Sequence, residues 1–388
     1  MDFNLSDDQL AFQHSARAFA RGELAPRAAE WDEHKIFPRE VIAAAGELGF
    51  CGLYSPEEQG GLGLSRLDTT LVLEELAAGC TSTAAFISIH NMATWMIATW
   101  GSDSLRQQWC GELTSGRKLA SYCLTEANAG SDAASLRTTA RRDGDAYVVN
   151  GGKLFISGAG DTEMLVVMVR TGARDSGAGG ITALAIPADL PGVGFGKNET
   201  KLGWNSQPTR AITFDNARVP VANRLGDEGE GFKIAMRGID GGRINIAACS
   251  LGAAQACLSA SQLYLRERQQ FGQPLAQFQA LQFRLAEMLT NLVAARQMVQ
   301  RAAFALDTNH PEKTVYCAMA KRFATDAGFE ICNQALQLHG GYGYLREYPI
   351  ERFFRDARVH QILEGTNEIM NVITARRLLQ DGATEVLR

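Results

Sequence analysis

The middle of the chain contains the runs AYVVN (146–150), KLFIS (153–157), EMLVVMVRT (163–171), ITALAIP (181–187) and AITFDNARVP (211–220). Each run is short and rich in β-branched or aromatic residues, and glycine, aspartate and asparagine turns separate the runs. Such a series is typical of β-strands joined by turns. The sequence therefore predicts a β domain over about residues 120–229.

Helical patterns lie on both sides of this β segment. Before it, from Ser6 to about Lys118, apolar residues recur near helical spacing, and Ser6 and Gln9 match a capping box. After it, helices are predicted over 231–268, 280–306 and 313–338 and after Asn367. This order means segregated layers, which excludes a doubly wound sheet with alternating strands and helices. We expect an N-terminal helical domain (1–119), a middle β domain (120–229) and a C-terminal helical domain (230–388).

The composition is that of an ordinary water-soluble protein. The 388 residues are 46% hydrophobic and 21% charged, with a net charge of −5. Nucleic acid is not expected as a partner, because phosphate backbones select for an excess of positive charge. The most apolar segment, 84–100, is interrupted by His90, Asn91 and Thr94; it predicts a buried helix, and no membrane association. The N-terminus lacks an export or transit segment, which favours a bacterial cytoplasmic protein over a processed mitochondrial matrix protein.

Cysteine and histidine spacing argues against disulfides and a metal site. The eight cysteines are scattered without a CxxC pair, and the six histidines show no ligand spacing. The chain also lacks GxxxxGKS/T, HExxH and GxSxG, so P-loop, zinc-protease and serine-hydrolase functions have no support. The run Gly192–Gly196 resembles a dinucleotide fingerprint only superficially, because no helix is predicted after it.

Two segments carry small residues and hydroxyls in places suited to a ligand. The first, Tyr122–Asp132 (YCLTEANAGSD), ends a predicted strand and presents hydroxyls at Thr125 and Ser131. Glycine and small side chains let backbone N–H groups approach a flat or anionic ligand, although such a segment alone is equally a polar turn. The second, Gln337–Tyr344 (QLHGGYGY), follows a predicted helix and is followed by Glu347, Arg352 and Asp356.

Together these two segments resemble the signature motifs of the acyl-CoA dehydrogenase family. The resemblance extends over essentially the whole chain, because Phe155–Ser157, Arg268–Gly272 and Leu363–Ile369 fall in the family's order. Two departures are Ala127 and Phe155, where many relatives have proline and tryptophan. The implied fold is α+β, mainly α, with an N-terminal helical domain, a middle β-barrel-like domain and a C-terminal four-helix bundle.

The resemblance implies FAD as the cofactor. Thr125 and Ser157 would hydrogen-bond the isoalloxazine ring, and Phe155 would lie beside it. Arg268 would hold the pyrophosphate half across a subunit interface, because a guanidinium presents paired donors to phosphate. The predicted FAD contacts are Tyr122, Leu124, Thr125, Ser131, Phe155, Ile156, Ser157, Arg268, Phe271, Phe278, Gln279, Gln337, Leu338, His339, Gly340, Gly341, Thr366, Asn367 and Glu368.

The same resemblance assigns Glu364 as the base that removes the α-proton of an acyl-CoA thioester. A minority of the family places the base on the helix that contains Asp240–Arg243, where this chain has Gly242. Without the resemblance, Glu364 could be an acidic residue that merely favours a helix N-terminus. Predicted substrate contacts are Ser131, Asp240, Gly241, Gly242, Arg243 and Arg376.

The runs 203–210, 241–246 and 359–364 most resemble family members that act on isobutyryl-CoA. They imply conversion of isobutyryl-CoA to methacrylyl-CoA in valine catabolism. One methylene is worth only about 1–3 kcal/mol in a pocket, so 2-methylbutyryl-CoA, butyryl-CoA and propionyl-CoA stay open as alternatives.

The family also implies partners. Electron-transferring flavoprotein would accept the electrons, NAD would not, and the chain would form a homotetramer, because the FAD site is shared between subunits. Two alternatives of a different class are a flavin monooxygenase or oxidase, which would not need Glu364, and a non-enzymatic flavoprotein, which would need an added basic domain.

Overall fold

The computed structural model describes residues 4–387, so the predicted domain limits at 1 and 388 lie outside the described residues. The helices before the sheet are α1 (Asp7–Phe19), α2 (Ala28–His34), α3 (Arg39–Glu47), α4 (Arg66–Gly79), α5 (Thr81–Trp100) and α6 (Asp103–Thr114). The helices after it are α7 (Gly231–Glu267), α8 (Gln279–Asp307), α9 (Lys313–His339), α10 (Ile350–Arg358), α11 (Asn367–Leu378) and α12 (Ala383–Val386).

The part of the chain between these two sets of helices forms one mixed sheet. Its strands are β1 (Ala120–Cys123), β2 (Thr139–Asp143), β3 (Ala146–Ser157), β4 (Met164–Arg170), β5 (Ile181–Pro187), β6 (Val193–Phe195), β7 (Thr209–Pro220) and β8 (Arg224–Leu225). The strand order is β6-β7-β3-β2-β4-β5-β8, with β1 paired in parallel to β4. A separate hairpin joins β9 (Gln269–Gln270) to β10 (Gln273–Pro274) between α7 and α8. The predicted α+β class and the helix–strand–helix order are confirmed.

Local sequence explains where several elements begin. Ser6 accepts from the Gln9 backbone N–H and donates its own backbone N–H to the Gln9 side chain, so the predicted capping box of α1 is confirmed. The predicted buried helix over 84–100 is α5, and most of its side chains are buried. The strand β6 and then irregular backbone follow Gly192, as expected for a segment without a helix.

The helix α7 is the structural centre of the protein. It packs against α4 and α5 on one side and against α8 and α9 on the other. By length and composition it could span a membrane, but 78% of its most apolar window is buried inside the protein. Its burial depends on small residues: a Cβ atom on Gly252 would lie 2.1 Å from the backbone oxygen of Glu74 in α4.

We predict that Gly252→Ala destabilises the protein by about 1–3 kcal/mol, because the added methyl group forces α4 and α7 apart. The measurement is the unfolding free energy, with Gly111→Ala as the matched control. Gly111 lies on the exposed face of α6, and a Cβ atom there would meet no other atom within 4 Å, so that variant should be at least as stable as the parent. Equal losses in both variants would contradict the close contact.

Candidate active site

Glu364 lies in a strained loop between α10 and α11. Its φ angle is +55° and that of Gly365 is +89°, so two successive residues adopt the left-handed conformation. For a residue with a side chain this conformation costs about 1–2 kcal/mol, and such strain concentrates at functional positions. Thr366 then caps α11 by accepting a hydrogen bond from the Ile369 backbone N–H at 3.3 Å. The loop therefore fixes the direction of the Glu364 side chain.

The Glu364 carboxyl group lies directly against α7. A Cβ atom on Gly242 would be 2.6 Å from Glu364 Oε2, so only glycine leaves room for the carboxyl group at this point of the helix. The alternative base position identified in the sequence and the Glu364 carboxyl group thus occupy the same place in space. In this chain the carboxyl group comes from Glu364 on the loop and not from position 242 on α7.

Burial raises the pKa of Glu364 to about 7, while the nearby charges of Arg243 and Lys321 oppose that rise. Within residues 4–387, no side chain or backbone group donates a hydrogen bond to its carboxylate. Burial also raises the pKa of Tyr122 well above its usual value, and the Glu364 charge adds to this rise. A carboxyl group that titrates near neutral pH and has no fixed donor can exchange a proton with a ligand.

Two buried cations hold the backbone of this loop. Arg243 of α7 donates from Nε to the Glu364 carbonyl oxygen at 3.4 Å and pairs through Nη1 with Asp240 at 2.7 Å. Thr314 donates to the other Asp240 oxygen at 2.7 Å. Lys321 of α9 donates to the Gly365 carbonyl oxygen at 2.8 Å. Asp240 and Arg243, predicted as substrate contacts, therefore lie beside the base and are already paired with each other.

A polar wall stands next to Glu364 on the side of α4. The Arg66 guanidinium lies 3.5 Å from the centroid of the Tyr54 ring and 4.9 Å from that of the Trp95 ring. A Cβ atom on Gly241 would lie 2.5 Å from Arg66 Nη1. The Arg66 guanidinium thus occupies the space beside Gly241, and the Glu364 carboxyl group occupies the space beside Gly242. Among described residues, Arg66 Nη1, Tyr122 Oη and Asn245 Oδ1 are buried without a hydrogen-bond partner. Such atoms are available to a polar ligand.

An apolar cluster closes the other side of the same region. Ala85, Ile89, Trp204 and Ile246 are buried together, and Tyr122, Val359 and Leu363 pack against them. Trp204 is held by its backbone N–H, which donates to Asp356 at 2.6 Å. Bulky apolar side chains therefore lie close to the loop that carries Glu364.

The first sequence motif is held by a buried ion pair that sequence reasoning missed. Glu126 accepts from the backbone N–H groups of Arg137 at 2.6 Å and Thr138 at 2.9 Å, and from Lys153 Nζ at 2.7 Å. Lys153 also donates to the Leu124 carbonyl oxygen at 3.1 Å. The pair thereby ties the turn after β1 to β3. Glu126, which the motif carries beside Thr125, is an anchor of this turn.

The predicted ring contacts of FAD lie together around this turn. The backbone N–H of Leu154 donates to the Thr125 carbonyl oxygen at 2.9 Å, next to a β-bulge between Lys153 and Ile156. At the bulge Phe155 has a φ angle of +58°, and its side chain is 62% exposed. Tyr122, Leu124, Ile156 and Ser157 are on the adjoining strand ends, and Ser131 lies in the exposed turn. An exposed aromatic ring beside hydroxyls fits a flat heteroaromatic ring system.

The second sequence motif lines an open cavity of about 520 Å³. Its walls include Arg268, Tyr342 and the segment Gln337–Gly341, which joins α9 to the following 3₁₀ turn. His339 is buried, bonded to the Ala335 carbonyl oxygen at 2.8 Å and stacked on Tyr264 at 4.4 Å. A guanidinium beside exposed backbone and aromatic rings suits a nucleotide diphosphate.

The remaining predicted contacts lie at the edges of these groups. Phe271, at the tip of the β9–β10 hairpin, is 91% exposed, and its ring lies 6.1 Å from that of Phe278, which precedes Gln279 at the start of α8. In the described part of the chain, no hydrogen bond or ring contact joins the cavity at Arg268 to the ring site at Phe155. Sharing of one FAD between subunits accordingly stays a prediction.

The predicted contacts on α11 differ in exposure. Glu368 is exposed in the first turn, and Arg376 is exposed in the last turn. Asn367 is buried, and its side chain is bonded to Lys321, Thr325 and Asp326. Only backbone groups of Asn367 are therefore free for a cofactor.

Sequence reasoning did not identify Lys321, Arg66 or Tyr54. Lys321 could have been found, because it falls on the helical stripe of Cys317, Ala320 and Ala324, where a charge on a buried face is unusual. Arg66 and Tyr54 are joined by tertiary packing alone. Among residues 4–387 there is no group of three possible metal ligands, and the eight cysteines are free and buried.

Comparisons with known proteins agree along the whole chain. Family models described as the N-terminal, middle and C-terminal domains of acyl-CoA dehydrogenase match residues 6–117, 121–217 and 229–379. The chain is 54% identical to mitochondrial isobutyryl-CoA dehydrogenase of Bos taurus, over 97% of this chain and 90% of that protein.

Solved structures give the same result. Butyryl-CoA dehydrogenase from Megasphaera elsdenii aligns with a TM-score of 0.94 and 39% identity, over 98% of this chain and 100% of that chain. A chain from the structural study of the electron transferring flavoprotein of Acidaminococcus fermentans aligns with a TM-score of 0.95 and 41% identity, with the same coverage.

We predict that Arg268→Ala weakens FAD binding roughly tenfold, because a charge-assisted hydrogen bond to phosphate is lost. The measurement is the dissociation constant of FAD from flavin fluorescence after reconstitution of the apoprotein. Arg266→Ala is the control, since Arg266 is exposed on the preceding turn and does not line the cavity. Unchanged affinity in the Arg268 variant would remove this cavity from the FAD site.

Proposed function

The chain belongs to the acyl-CoA dehydrogenase family and is an FAD-dependent oxidoreductase that acts on a CH–CH bond, and we propose that it desaturates a short branched-chain acyl-CoA between its α and β carbons. Isobutyryl-CoA is the leading substrate and methacrylyl-CoA the product, as in valine catabolism. The observation that carries this proposal is the Glu364 carboxyl group, with a pKa near 7 and no hydrogen-bond donor among the described residues.

Glu364 would act as the base that removes the α-proton of the thioester. An acyl-CoA α-carbon is weakly acidic, so the base must hold the proton at neutral pH, and burial gives the carboxyl group that capacity. The Glu364 backbone N–H has no acceptor within residues 4–387 and could donate to the thioester oxygen, where negative charge develops. Bound FAD supplies the acceptor for the hydride from the β-carbon.

FAD itself would be held by the two groups of residues described above. Thr125, Phe155 and Ser157 would contact the flavin ring, and Arg268 with Gln337–Gly341 would contact the adenine and phosphates. The geometry of these groups supports this division, because one offers hydroxyls beside an exposed aromatic ring and the other offers a guanidinium in an open cavity.

A short acyl group suits the bulky surroundings of the base. Leu363 packs against the cluster that contains Trp204 and Ile89, and the Arg66 guanidinium stacks on Tyr54 beside Gly241, next to the glycine that Glu364 contacts. A longer apolar chain would have to displace these side chains or cover an unpaired guanidinium group, which is unfavourable. The 54% identity to an isobutyryl-CoA dehydrogenase also supports a branched substrate, while butyryl-CoA is the alternative suggested by the solved butyryl-CoA dehydrogenase.

Electron-transferring flavoprotein is the proposed acceptor of the electrons, and a homotetramer is the proposed assembly. The exposed apolar side chains Phe283, Leu289 and Val293 along α8 support association, because a subunit interface would remove them from water. Residence in a bacterial cytoplasm stays a prediction from the sequence.

The test of the proposed function is anaerobic flavin reduction, followed by absorbance, with isobutyryl-, 2-methylbutyryl- and butyryl-CoA added separately. We expect flavin absorbance to fall on addition of substrate, and we expect isobutyryl-CoA to reduce the flavin at the highest rate of the three thioesters. Preference for another thioester would keep the reaction and change the substrate. Failure of every acyl-CoA to reduce the flavin would overturn the proposal.

For the base, we predict that Glu364→Gln keeps FAD but lowers the rate of flavin reduction by about 10²–10⁴-fold, because an amide cannot accept the α-proton. Stopped-flow absorbance gives the rate. Glu47→Gln, on the exposed face of α3, is the matched control and should reduce at the parent rate. A near-parent rate in the Glu364 variant would assign the proton transfer to another group.

The pH dependence follows from the same group. Because the reaction needs the carboxylate and the pKa of Glu364 is about 7 in the free protein, kcat/KM should fall as the pH decreases through about 7. The group would be fully ionised at higher pH, where kcat/KM should level off. A profile that stays flat down to pH about 5 would be inconsistent with this base.

A further inference from the structure

Lys321 is a fully buried cation that is bonded to the loop of the base. Its side chain is 0% exposed, and Nζ donates to the Gly365 carbonyl oxygen at 2.8 Å and to Asn367 Oδ1 at 2.9 Å. These two acceptors belong to the first and third residues after Glu364 in the chain. A buried ammonium group is costly unless its donors are used, so this position requires both contacts.

Asn367, at the start of α11, is also bonded to two other residues of α9. Its Nδ2 group donates to Asp326 Oδ1 at 2.7 Å and to Thr325 Oγ1 at 3.0 Å, so the start of α11 is bonded to two turns of α9 at once. Together with the Arg243 contact to the Glu364 carbonyl oxygen, the two successive carbonyl groups of the left-handed loop face cations from different helices. The left-handed backbone at Glu364 and Gly365 is thereby held from α7 and from α9.

The charges around the base are few and can be named. Glu364 faces Arg243 from α7 and Lys321 from α9, and Arg66 of α4 lies beside the neighbouring glycine of α7. Tyr54 and Tyr122 are neutral neighbours. Lys321 in turn faces Glu364, Arg243, Asp326 and Glu368. Burial lowers the pKa of Lys321 to about 8, so the ammonium group remains charged at neutral pH. Arg243 is neutralised by its ion pair with Asp240, whereas the bonds of Lys321 go to neutral oxygens.

We propose that Lys321 is the positioning residue for Glu364: it fixes the backbone that carries the base and supplies, beside the carboxylate, a positive charge whose own hydrogen bonds go to neutral oxygens. This inference rests on the proposed function of Glu364 as the base. Lys321 does not touch the reacting atoms; it acts through the Glu364–Asn367 backbone and through its charge. Without that charge, the carboxylate is less stable, and a larger fraction of Glu364 is protonated at neutral pH.

The test separates charge from geometry by two substitutions in the FAD-loaded protein. Lys321→Gln keeps a hydrogen-bond donor and removes the charge, so the acid limb of kcat/KM should move up by roughly 1 pH unit. Lys321→Arg keeps the charge but cannot place the same donors, so its acid limb should stay in place while kcat falls about 10- to 100-fold with little change in KM. Lys197→Gln, which removes the charge of an exposed lysine in the loop after β6, should leave the acid limb unmoved.

Rates are normalised to bound flavin, so that loss of cofactor or of folded protein does not enter the comparison. An acid limb of Lys321→Gln that coincides with that of the parent would overturn the electrostatic part of the proposal. Should Lys321→Gln yield no holoenzyme, Lys321→Arg decides alone, and a parent value of kcat in that variant would overturn the positioning. A parent protein that no acyl-CoA reduces would instead be a failure of the proposed function.

Discussion

The contact between the Glu364 carboxyl group and Gly242 is the constraint on which the rest of the site depends. A carboxyl group can lie against α7 only where the helix has no side chain, and a Cβ atom added at that position would be 2.6 Å from Oε2. The next glycine along the helix, Gly241, admits the Arg66 guanidinium in the same way. This pair of glycines, in the buried middle part of α7, leaves room for both polar groups against the helix.

Two buried ion pairs hold the backbone segments around the site. The pair of Lys153 and Glu126 holds the turn after β1, and the pair of Arg243 and Asp240 lies under the loop of the base. Breaking such a pair leaves an uncompensated charge in a medium of low polarity, which is strongly unfavourable. Glu364 differs from these acids, because none of the described residues donates to its carboxylate. Burial raises the pKa of Glu364 and that of Asp240, whereas the pKa of Glu126 is lowered, since charge and hydrogen bonds to Lys153 outweigh the effect of burial.

Much of this arrangement could be predicted from the sequence, and the parts that could not depend on tertiary packing. Strands such as β4 and helices such as α9 have clear periodicity, and the family resemblance singled out Glu364 and the Gly242 position. The short helix α10 and the β9–β10 hairpin were not predicted, because neither is long enough to show a period. Arg66 was missed for another reason: an arginine at a helix start is usually solvated, and only the packed structure shows that it points inward. Lys321 lies on a buried stripe that the sequence shows, but its bonds to the loop of the base depend on the packing of α9 against α11.

Glu364 has the central role in this site, as the group proposed to remove the α-proton. The most direct measurement of that role is the exchange of the α-hydrogen of isobutyryl-CoA with D₂O, followed by NMR under anaerobic conditions, in the parent protein and in Glu364→Gln. We predict deuterium at the α-carbon with the parent protein and none above the uncatalysed level with the variant. Exchange at the parent rate in the variant would contradict this role, because the proton would then be leaving to a different base.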